Sequence, residues 1–252
     1  MSDMFNRSNQ LLTNILFESV NNYPTFTHIK SIFSDEWYNF IAPHVTSDKL
    51  AWDEINSIIT QENKRDFKLS YYISEQLLAD YSNYFSEHKH NKEIGTEYYI
   101  FKSSKDPITE LGELVLVDDS LIEEYVSMGK ICFPDWENNE TYARYVYQRQ
   151  QESQTLIIKN YLFRYENQFV GFCGIIASPK QNLAYFHNVG VLPAYRRRGH
   201  FTSITHHVIN TSLSFGITDT YALIEYNGNS YHGLTKLGYE SVDKYHLFST
   251  IV

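Results

Sequence analysis

The 252-residue sequence has only two cysteines, Cys132 and Cys173, and their spacing matches no metal-binding or redox motif. A disulfide-rich scaffold and a cysteine zinc site are therefore excluded, and two isolated thiols are typical of a reducing compartment. The sequence also lacks an apolar run near the roughly 20 residues that cross a bilayer. Its first residues lack the apolar stretch of a secretory signal. These absences predict a cytoplasmic protein without a membrane partner.

Basic residues are scarce as well, because 21 lysines and arginines stand against 30 aspartates and glutamates, for a formal net charge of -9. This balance argues against a nucleic-acid partner. Apolar residues make up 42% of the chain and charged residues 20%, which indicates a globular protein with a core and excludes a disordered one. Because one domain commonly takes about 150 residues, the length predicts two structural units.

The first 108 residues show a mixed helix and strand pattern without a recognisable catalytic motif. Periodicity predicts helices over 4–21, 52–63 and 75–85, and strands over 27–33, 69–73 and 96–101. The polar segment 102–107 contains a proline and is the expected linker. Two domains are therefore expected, at 1–108 and 109–252.

The second half has a more regular order of elements. Periodicity and turn signals predict strands over 114–117, 155–165, 169–177, 183–191, 220–226 and 239–251, and helices over 121–128, 140–151, 199–215 and 230–237. The three strands between residues 155 and 191 are joined by hairpin-length turns, so an antiparallel meander is expected. The fold is assigned to the α+β class, with a mostly antiparallel sheet flanked by helices.

One segment of the second half lacks carboxylates altogether. Between Asn167 and Thr218 the only formal charges are Lys180 and the consecutive arginines Arg196–Arg198. These arginines lie where a predicted strand ends and a helix begins, just after Gly199. Free amides and the helix dipole favour an anion there, and arginine donors suit phosphate oxygens. The segment predicts a polyphosphate site, with a solvated run of charge as the alternative.

Two sequence blocks in this half carry a family resemblance. The segment 191–199, VLPAYRRRG, resembles the coenzyme A pyrophosphate signature of the GNAT superfamily of N-acetyltransferases, except that Phe201 stands at its last small position. The segments 227–230 (NGNS) and 236–239 (KLGY) resemble a later motif of the same superfamily. The order of strands and helices around both blocks is similar too. Residues 111–252 are therefore identified as a member of this superfamily, which implies a GNAT-like fold.

The resemblance implies how acetyl-CoA is bound. In similar proteins the strand before the signature presents free main-chain groups to the pantetheine arm, and the amides that follow face the pyrophosphate. The main chain near Val189 is the implied oxyanion donor. No metal is implied. The residues implied to bind the cofactor are Asn188, Val189, Gly190, Val191, Arg196, Arg197, Arg198, Gly199, His200, Phe201, Thr202, Asn227 and Asn229.

The resemblance also implies direct attack of an amine on the acetyl thioester, with an acid for the thiolate and a base for the ammonium proton. Many relatives carry a tyrosine acid where this chain has Leu234, so Tyr231, about one helical turn earlier, is the candidate acid; a packed helix tyrosine is the alternative. His187 is the first candidate base, because an ordinary histidine pKa is about 6.5. A buried structural histidine is its alternative. Glu225, on the following strand, is the second candidate base, with a surface role as its alternative.

The leading hypothesis is an acetyl-CoA dependent N-acetyltransferase that acts on a primary amine of a small molecule or a peptide. A catalytically degenerate coenzyme A binding or sensing module is the alternative, because Phe201 and Leu234 depart from the superfamily pattern. The first half is either a degenerate copy of the same fold or a dedicated acceptor-binding or dimerising domain, which leaves a homodimer open. Residues 1–110 carry a net charge of -6, residues 111–179 carry -5 and residues 180–252 carry +2. This division favours a cationic acceptor.

Overall fold

The computed structural model describes residues 3–65, 67–88, 91–225 and 228–250. The helices are α1 (Asp3–Leu12), α2 (Trp52–Asn63), α3 (Leu78–His88), α4 (Ile122–Cys132), α5 (Asn139–Glu152), α6 (His200–Ser214) and α7 (Asn229–Lys236). The strands are β1 (Phe17–Asn22), β2 (Phe26–Ser31), β3 (Phe40–Pro43), β4 (Ser70–Ser74), β5 (Asn91–Ser103), β6 (Glu113–Leu116), β7 (Ile157–Tyr165), β8 (Gln168–Ser178), β9 (Leu183–Val191), β10 (Asp219–Glu225) and β11 (Glu240–Thr250). None of these helices is long and apolar enough to cross a bilayer.

The described residues form two compact units. The first unit contains the residues up to Tyr99, those described between Ile224 and Gly228, and those from Ser241 onward. The second unit contains Ile100–Leu223 and Asn229–Glu240.

This grouping differs from the expected division between residues 108 and 109. β5 runs without a break through the point where the first unit ends. β11 was assigned from the sequence to the second domain, but it pairs antiparallel with β4 in the first unit, as in Tyr245↔Ser74. An alternating strand pattern does not specify its partner, so ladder pairing rather than chain order decides where β11 belongs.

In the first unit the strands lie in the order β1-β2-β3-β4-β11-β5. β1, β2 and β3 are antiparallel neighbours, whereas β3 and β4 are parallel and pair only at Phe40↔Ser70 and Ile41↔Tyr71. The helix expected over 4–21 is wrong beyond Leu12, because Asn14 adopts a φ of 66° and β1 follows. The apolar side chains before and after this turn are both buried. The helix-like spacing of apolar residues in the sequence therefore continues past the point where the helix ends.

In the second unit the strands lie in the order β5-β10-β9-β8-β7-β6, with Ile100–Ser103 as its part of β5. β6, β7, β8 and β9 are antiparallel neighbours, so the expected meander and the mostly antiparallel α+β fold are confirmed. β10 is parallel to β9. α4 packs over a core that includes Tyr125 and Phe172, and α6 places Ile204 against Gly171 on the opposite face. Since adjacent strand residues face opposite sides, the sheet is covered on both.

The order of elements in the first half of the chain is repeated in the second half. Three antiparallel strands are followed by a helix, a strand parallel to the third, another helix and a final strand, as β1-β2-β3-α2-β4-α3-β5 and as β7-β8-β9-α6-β10-α7-β11. This repeat supports the interpretation of the first half as a degenerate copy of the same fold.

Candidate functional site

A β-bulge interrupts β9 where the thioester end of the cofactor is expected. Two residues of β9, Asn188 and Val189, stand opposite the single β8 residue Cys173. Asn188 has a φ of 50°, a left-handed conformation that asparagine tolerates better than most side chains do. A bulge leaves one residue outside the ladder and bends the strand. The main chain at these two residues is therefore turned out of regular pairing.

β9 also separates from its parallel neighbour β10. The two strands pair over Leu183–Tyr185 of β9 and Asp219–Tyr221 of β10, although β9 continues to Val191. Beyond Tyr185, the main-chain groups of β9 on the β10 side have no ladder partner among the described residues. Open main-chain donors and acceptors suit an extended polar ligand, much as a sheet edge accepts a peptide. This geometry fits the pantetheine contact implied for residues 188–191.

α6 begins without a side-chain cap. Gly199 occupies the N-cap position with a φ of 86°, and no heavy atom lies within 4 Å of the point where a Cβ would stand. The first turn of α6 contains no acidic residue. The first amides of a helix have no partners within the helix, and the helix dipole makes them favourable to an anion. Open space, free amides and the absence of acidic residues in this turn fit a bound pyrophosphate.

The three arginines of the loop before α6 have different surroundings. Arg196 donates from Nε to the main-chain oxygen of Val191 at 2.9 Å. It also lies beside Cys132, where burial raises the pKa of the thiol and the guanidinium partly offsets that effect. All three arginines are exposed, and Arg197 has a φ of 62°. Arg196 thus ties the loop to the end of β9, and all three leave positive charge at the surface.

The side chains of the first three α6 residues point to different places. His200 is 6% exposed and packs among aromatic rings, the nearest being Tyr165, so only its main chain is open to a ligand. Phe201, which departs from the signature, lies against α7, where a Cβ on Gly233 would come within 2.8 Å of its ring. A glycine on the facing helix therefore accommodates the larger residue. Thr202 is half-buried.

The candidate catalytic and binding residues near α7 do not all lie on that helix. Leu234 is 1% exposed, so a core side chain occupies the position where relatives carry the acid. Tyr231 is half-buried on the same helix, and Asn229 is exposed at its beginning. Glu225 is exposed at the end of β10 and lies in the first unit. Asn227 lies outside the described residues.

His187 is buried on the α5 face of the sheet. It is 5% exposed, and its Nδ1 lies 2.9 Å from the hydroxyl of Tyr142. Its ring covers Gly174, where a Cβ would come within 2.3 Å of Cε1. Burial lowers the pKa of His187 to about 3, so the imidazole is neutral at pH 7. A buried ring that resists protonation is a weak candidate base, which favours the structural alternative.

This buried histidine predicts a loss of stability in acid. The folded-state pKa of about 3 lies below the ordinary value of 6.5, so the contribution of His187 is complete above pH 6.5 and is lost as the pH falls toward 3. At pH 5 the loss is about 2 kcal/mol. Because other histidines with lowered pKa values, such as His28, also lose stabilisation in acid, the difference in urea stability between pH 7 and pH 5 should be about 2 kcal/mol smaller in His187→Gln than in wild type. The exposed-site variant His232→Gln should keep the wild-type difference, and an unchanged difference in His187→Gln would contradict the prediction.

Two tyrosines of the site were missed by sequence reasoning. The hydroxyl of Tyr125 on α4 accepts a hydrogen bond from Asn188 Nδ2 at 3.2 Å, and Tyr142 on α5 contacts His187. Both tyrosines are 1% exposed. The sequence offered only an aromatic residue on the apolar side of a predicted helix, a signal that does not distinguish packing from positioning.

Two other side chains of the second unit that could be reactive, a cysteine and a histidine, are buried. Cys173 is fully buried, and burial raises the pKa of its thiol well above the ordinary range, in keeping with the core position. His207 is buried and contacts Glu110 at 2.9 Å. Within the described ranges, no three histidine, cysteine or carboxylate side chains are grouped to hold a metal ion.

The loop between β3 and α2 is the counterpart of the anion loop in the first unit, and the protein's own side chains fill it. The Ser47 amide donates to the carboxylate of Asp80 at 2.6 Å, and the Trp52 indole donates to the Ser47 oxygen at 2.8 Å. α2 carries Asp53 and Glu54 in its first turn, where negative charge repels an anion. No glycine occurs between residues 40 and 63. The first unit therefore keeps the order of elements without the anion site.

We expect one acetyl-CoA to bind per chain. The first turn of α6 carries no acidic residue and lies next to a separated parallel strand pair, whereas in the first unit Asp80 holds the equivalent loop and α2 begins with Asp53 and Glu54. Isothermal titration calorimetry of the full chain should give a stoichiometry near one. A stoichiometry of two would show that the first unit also binds the cofactor.

Comparison with known proteins gives one family and a set of related folds. Residues 121–239 match the model of the acetyltransferase (GNAT) family. No curated protein matches the chain. A conserved protein of unknown function from Staphylococcus epidermidis is similar in structure, with a TM-score of 0.67 and 15% identity over 94% of this chain and 96% of that chain.

Two further solved structures extend this likeness. A GCN5-related N-acetyltransferase from Kribbella flavida has a TM-score of 0.66 and 13% identity, and the match covers 98% of this chain and 94% of that one. A tandem GNAT protein from the clavulanic acid biosynthesis pathway has a TM-score of 0.53 and 10% identity, over 89% and 78% of the two chains. At these identities the likeness concerns the fold.

Proposed function

We propose, because residues 121–239 match the model of the acetyltransferase (GNAT) family, that this chain is an N-acetyltransferase that moves the acetyl group of acetyl-CoA to a primary amine of a small molecule or a peptide. One observation carries the proposal. β9 leaves its pairing with β10 after Tyr185, bulges at Asn188 and Val189, and leads within a few residues into the uncapped beginning of α6. A single short stretch of chain thus offers open main-chain groups for a thioester arm and amides for a pyrophosphate.

The binding roles follow the course of this stretch. The main chain of residues 188–191 pairs with the pantetheine arm, and the amides from Arg196 to Phe201 with the Thr202 hydroxyl hold the pyrophosphate. Arg197 and Arg198 add exposed positive charge, and Arg196 keeps the loop in place through Val191. Asn229, at the start of α7, is proposed to contact the cofactor. Asn227, two positions earlier in the sequence, is proposed to contact it as well.

The chemical step uses the acetyl thioester that acetyl-CoA supplies. The amine nitrogen attacks the thioester carbon, the new C–N bond forms as the C–S bond breaks, and an amide near Val189 stabilises the negative charge on oxygen. Tyr231 is proposed to give its proton to the departing thiolate. Glu225 is the preferred base for the ammonium proton, acting through water, because the low pKa of His187 opposes proton uptake there.

The acceptor is proposed to be a cationic amine. The 179 residues before the cofactor segment carry an excess of acidic side chains, whereas residues 180–252 carry a net charge of +2. Fields of opposite sign on two parts of a protein favour the approach of ligands of opposite charge. Phosphates are thereby attracted to one part and an ammonium group to the other.

A coenzyme A binding or sensing module is the second candidate function. It is favoured by Leu234, which fills the usual acid position with a buried aliphatic side chain, and by the weak basicity of His187. In this alternative the chain binds coenzyme A through the same residues, but Tyr231 and Glu225 do not act as acid and base.

A thiol-release assay over a panel of amines distinguishes the two functions. An enzyme should release the coenzyme A thiol only when an acceptor is present, with one acetylated amine formed per thiol. A sensing module should bind acetyl-CoA in calorimetry yet show no acceptor-dependent release across polyamines, amino sugars and peptide amines. Absence of saturable acetyl-CoA binding would exclude both functions.

A further inference from the structure

The bulge on β9 has an energetic cost that other contacts must offset. Asn188 is not glycine, yet it has a φ of 50°, which costs an L residue energy relative to a regular strand. A strand without the bulge would shift by one residue and send each later side chain to the other face of the sheet. The bulge must therefore be held by contacts outside the strand.

One such contact reaches Asn188 from α4. The Nδ2 of Asn188 donates to the hydroxyl of Tyr125 at 3.2 Å. Among the described residues, this is the one hydrogen bond that the Asn188 side chain makes. Tyr125 is 1% exposed, and its ring lies edge-on to Phe172 of β8 with centroids 5.3 Å apart. A hydroxyl on a ring that is itself fixed by packing is a rigid acceptor.

A second contact holds the strand on the other side of Val189. A Cβ on Gly190 would come within 2.4 Å of Phe172 Cε1 and 3.1 Å of Cys132 Cβ, so the main chain there lies directly under both side chains. The residues before and after Val189 are thus held from the same face, by Tyr125 and by Phe172.

We propose that Tyr125 is a positioning residue, whose hydroxyl holds the Asn188 side chain and thereby fixes the direction of the Val189 main chain for acetyl transfer. The proposal rests on the proposed function, because it concerns the oxyanion donor of that reaction. Tyr125 itself does not contact the reacting atoms. It acts through Asn188, and the shared ring of Phe172 couples it to the strand beyond the bulge.

The test is a double-mutant cycle on the full chain. Tyr125→Phe keeps the ring and removes the hydroxyl, and Asn188→Gly removes the side chain while allowing the left-handed φ. Each variant should lower kcat by about tenfold, less than the roughly hundredfold effect of removing an oxyanion donor, with the acetyl-CoA dissociation constant changed less than about twofold. The double variant should be no slower than Asn188→Gly. Additive losses would show that the two groups act separately and would overturn the proposal.

A second readout does not depend on catalysis. Amide hydrogen exchange in a peptide that covers residues 186–191 should be faster in Tyr125→Phe than in wild type. Tyr147→Phe, which removes an α5 hydroxyl that donates to Asp119 at 2.7 Å, should leave both exchange and kcat unchanged. Unchanged exchange in Tyr125→Phe would overturn the proposal whether or not the chain is an enzyme. If wild type binds acetyl-CoA and acetylates no amine, the proposed function is wrong, and the exchange data alone then decide whether Tyr125 fixes the bulge.

Discussion

Gly199→Asp is expected to raise the dissociation constant of acetyl-CoA at least about a hundredfold, because several charge-assisted hydrogen bonds to phosphate would be lost together. The space next to Gly199 is open, so the new side chain meets no neighbouring atom, although its backbone is strained at a φ of 86°. Aspartate at an N-cap accepts hydrogen bonds from the first amides of its helix. The carboxylate would thus occupy the amides assigned to the pyrophosphate and add a repelling charge. Calorimetric titration with acetyl-CoA measures the effect.

The same helix supplies a matched control for this change. Gly216, just after the other end of α6, has a φ of 75°, and a Cβ there would likewise meet no heavy atom within 4 Å. Gly216→Asp therefore carries a comparable backbone strain, and its charge is unfavourable near a helix C-terminus. It should lower the melting temperature at least as much as Gly199→Asp and leave acetyl-CoA affinity intact. Equal loss of affinity in both variants would count against the α6 site.

Tyr231→Phe is expected to have the second largest effect, a fall in kcat of about a hundredfold with acetyl-CoA affinity unchanged. A general acid commonly contributes between about a hundredfold and ten-thousandfold to a rate. Tyr231 is half-buried on α7, whereas the usual position of the acid is filled by Leu234 in the core. Steady-state kinetics at saturating acetyl-CoA, with the amine identified by the panel, gives the comparison.

Tyr147→Phe is the control for Tyr231→Phe. Tyr147 lies on α5 in the same unit, and its hydroxyl donates to Asp119 at 2.7 Å. The variant loses a tyrosine hydroxyl with its hydrogen bond but should keep the wild-type rate. If Tyr231→Phe also keeps the wild-type rate, Tyr231 is not the acid, and solvent must protonate the thiolate.

The anion loop could be predicted because its chemistry is local in the sequence. The gap in carboxylates, the three arginines and Gly199 specify charge, donors and close approach within a few residues. The structure adds that the helix begins at Gly199 without a cap. The meander could be predicted for a similar reason, because short turns between alternating segments determine which strands are neighbours.

Features that depend on distant residues could not be predicted. The φ of Asn188 is supported by Tyr125, 63 positions earlier in the chain, and the ring of Phe201 is accommodated by Gly233 on another helix. The low pKa of His187 comes from burial under α5, which the residues around His187 do not reveal. The place of β11 was missed because its alternating pattern fits either unit, and pairing with β4 decides between them.

A structure of the chain with coenzyme A would test the cofactor site in one measurement. We expect the pyrophosphate within hydrogen-bond distance of the amides at the beginning of α6, and the thiol end of the pantetheine arm beside Val189, between β9 and β10. We expect no ligand at the Ser47 loop of the first unit, where Asp80 already holds the amide. Coenzyme A bound at that loop, or anywhere away from β9 and α6, would show that the proposed site is wrong.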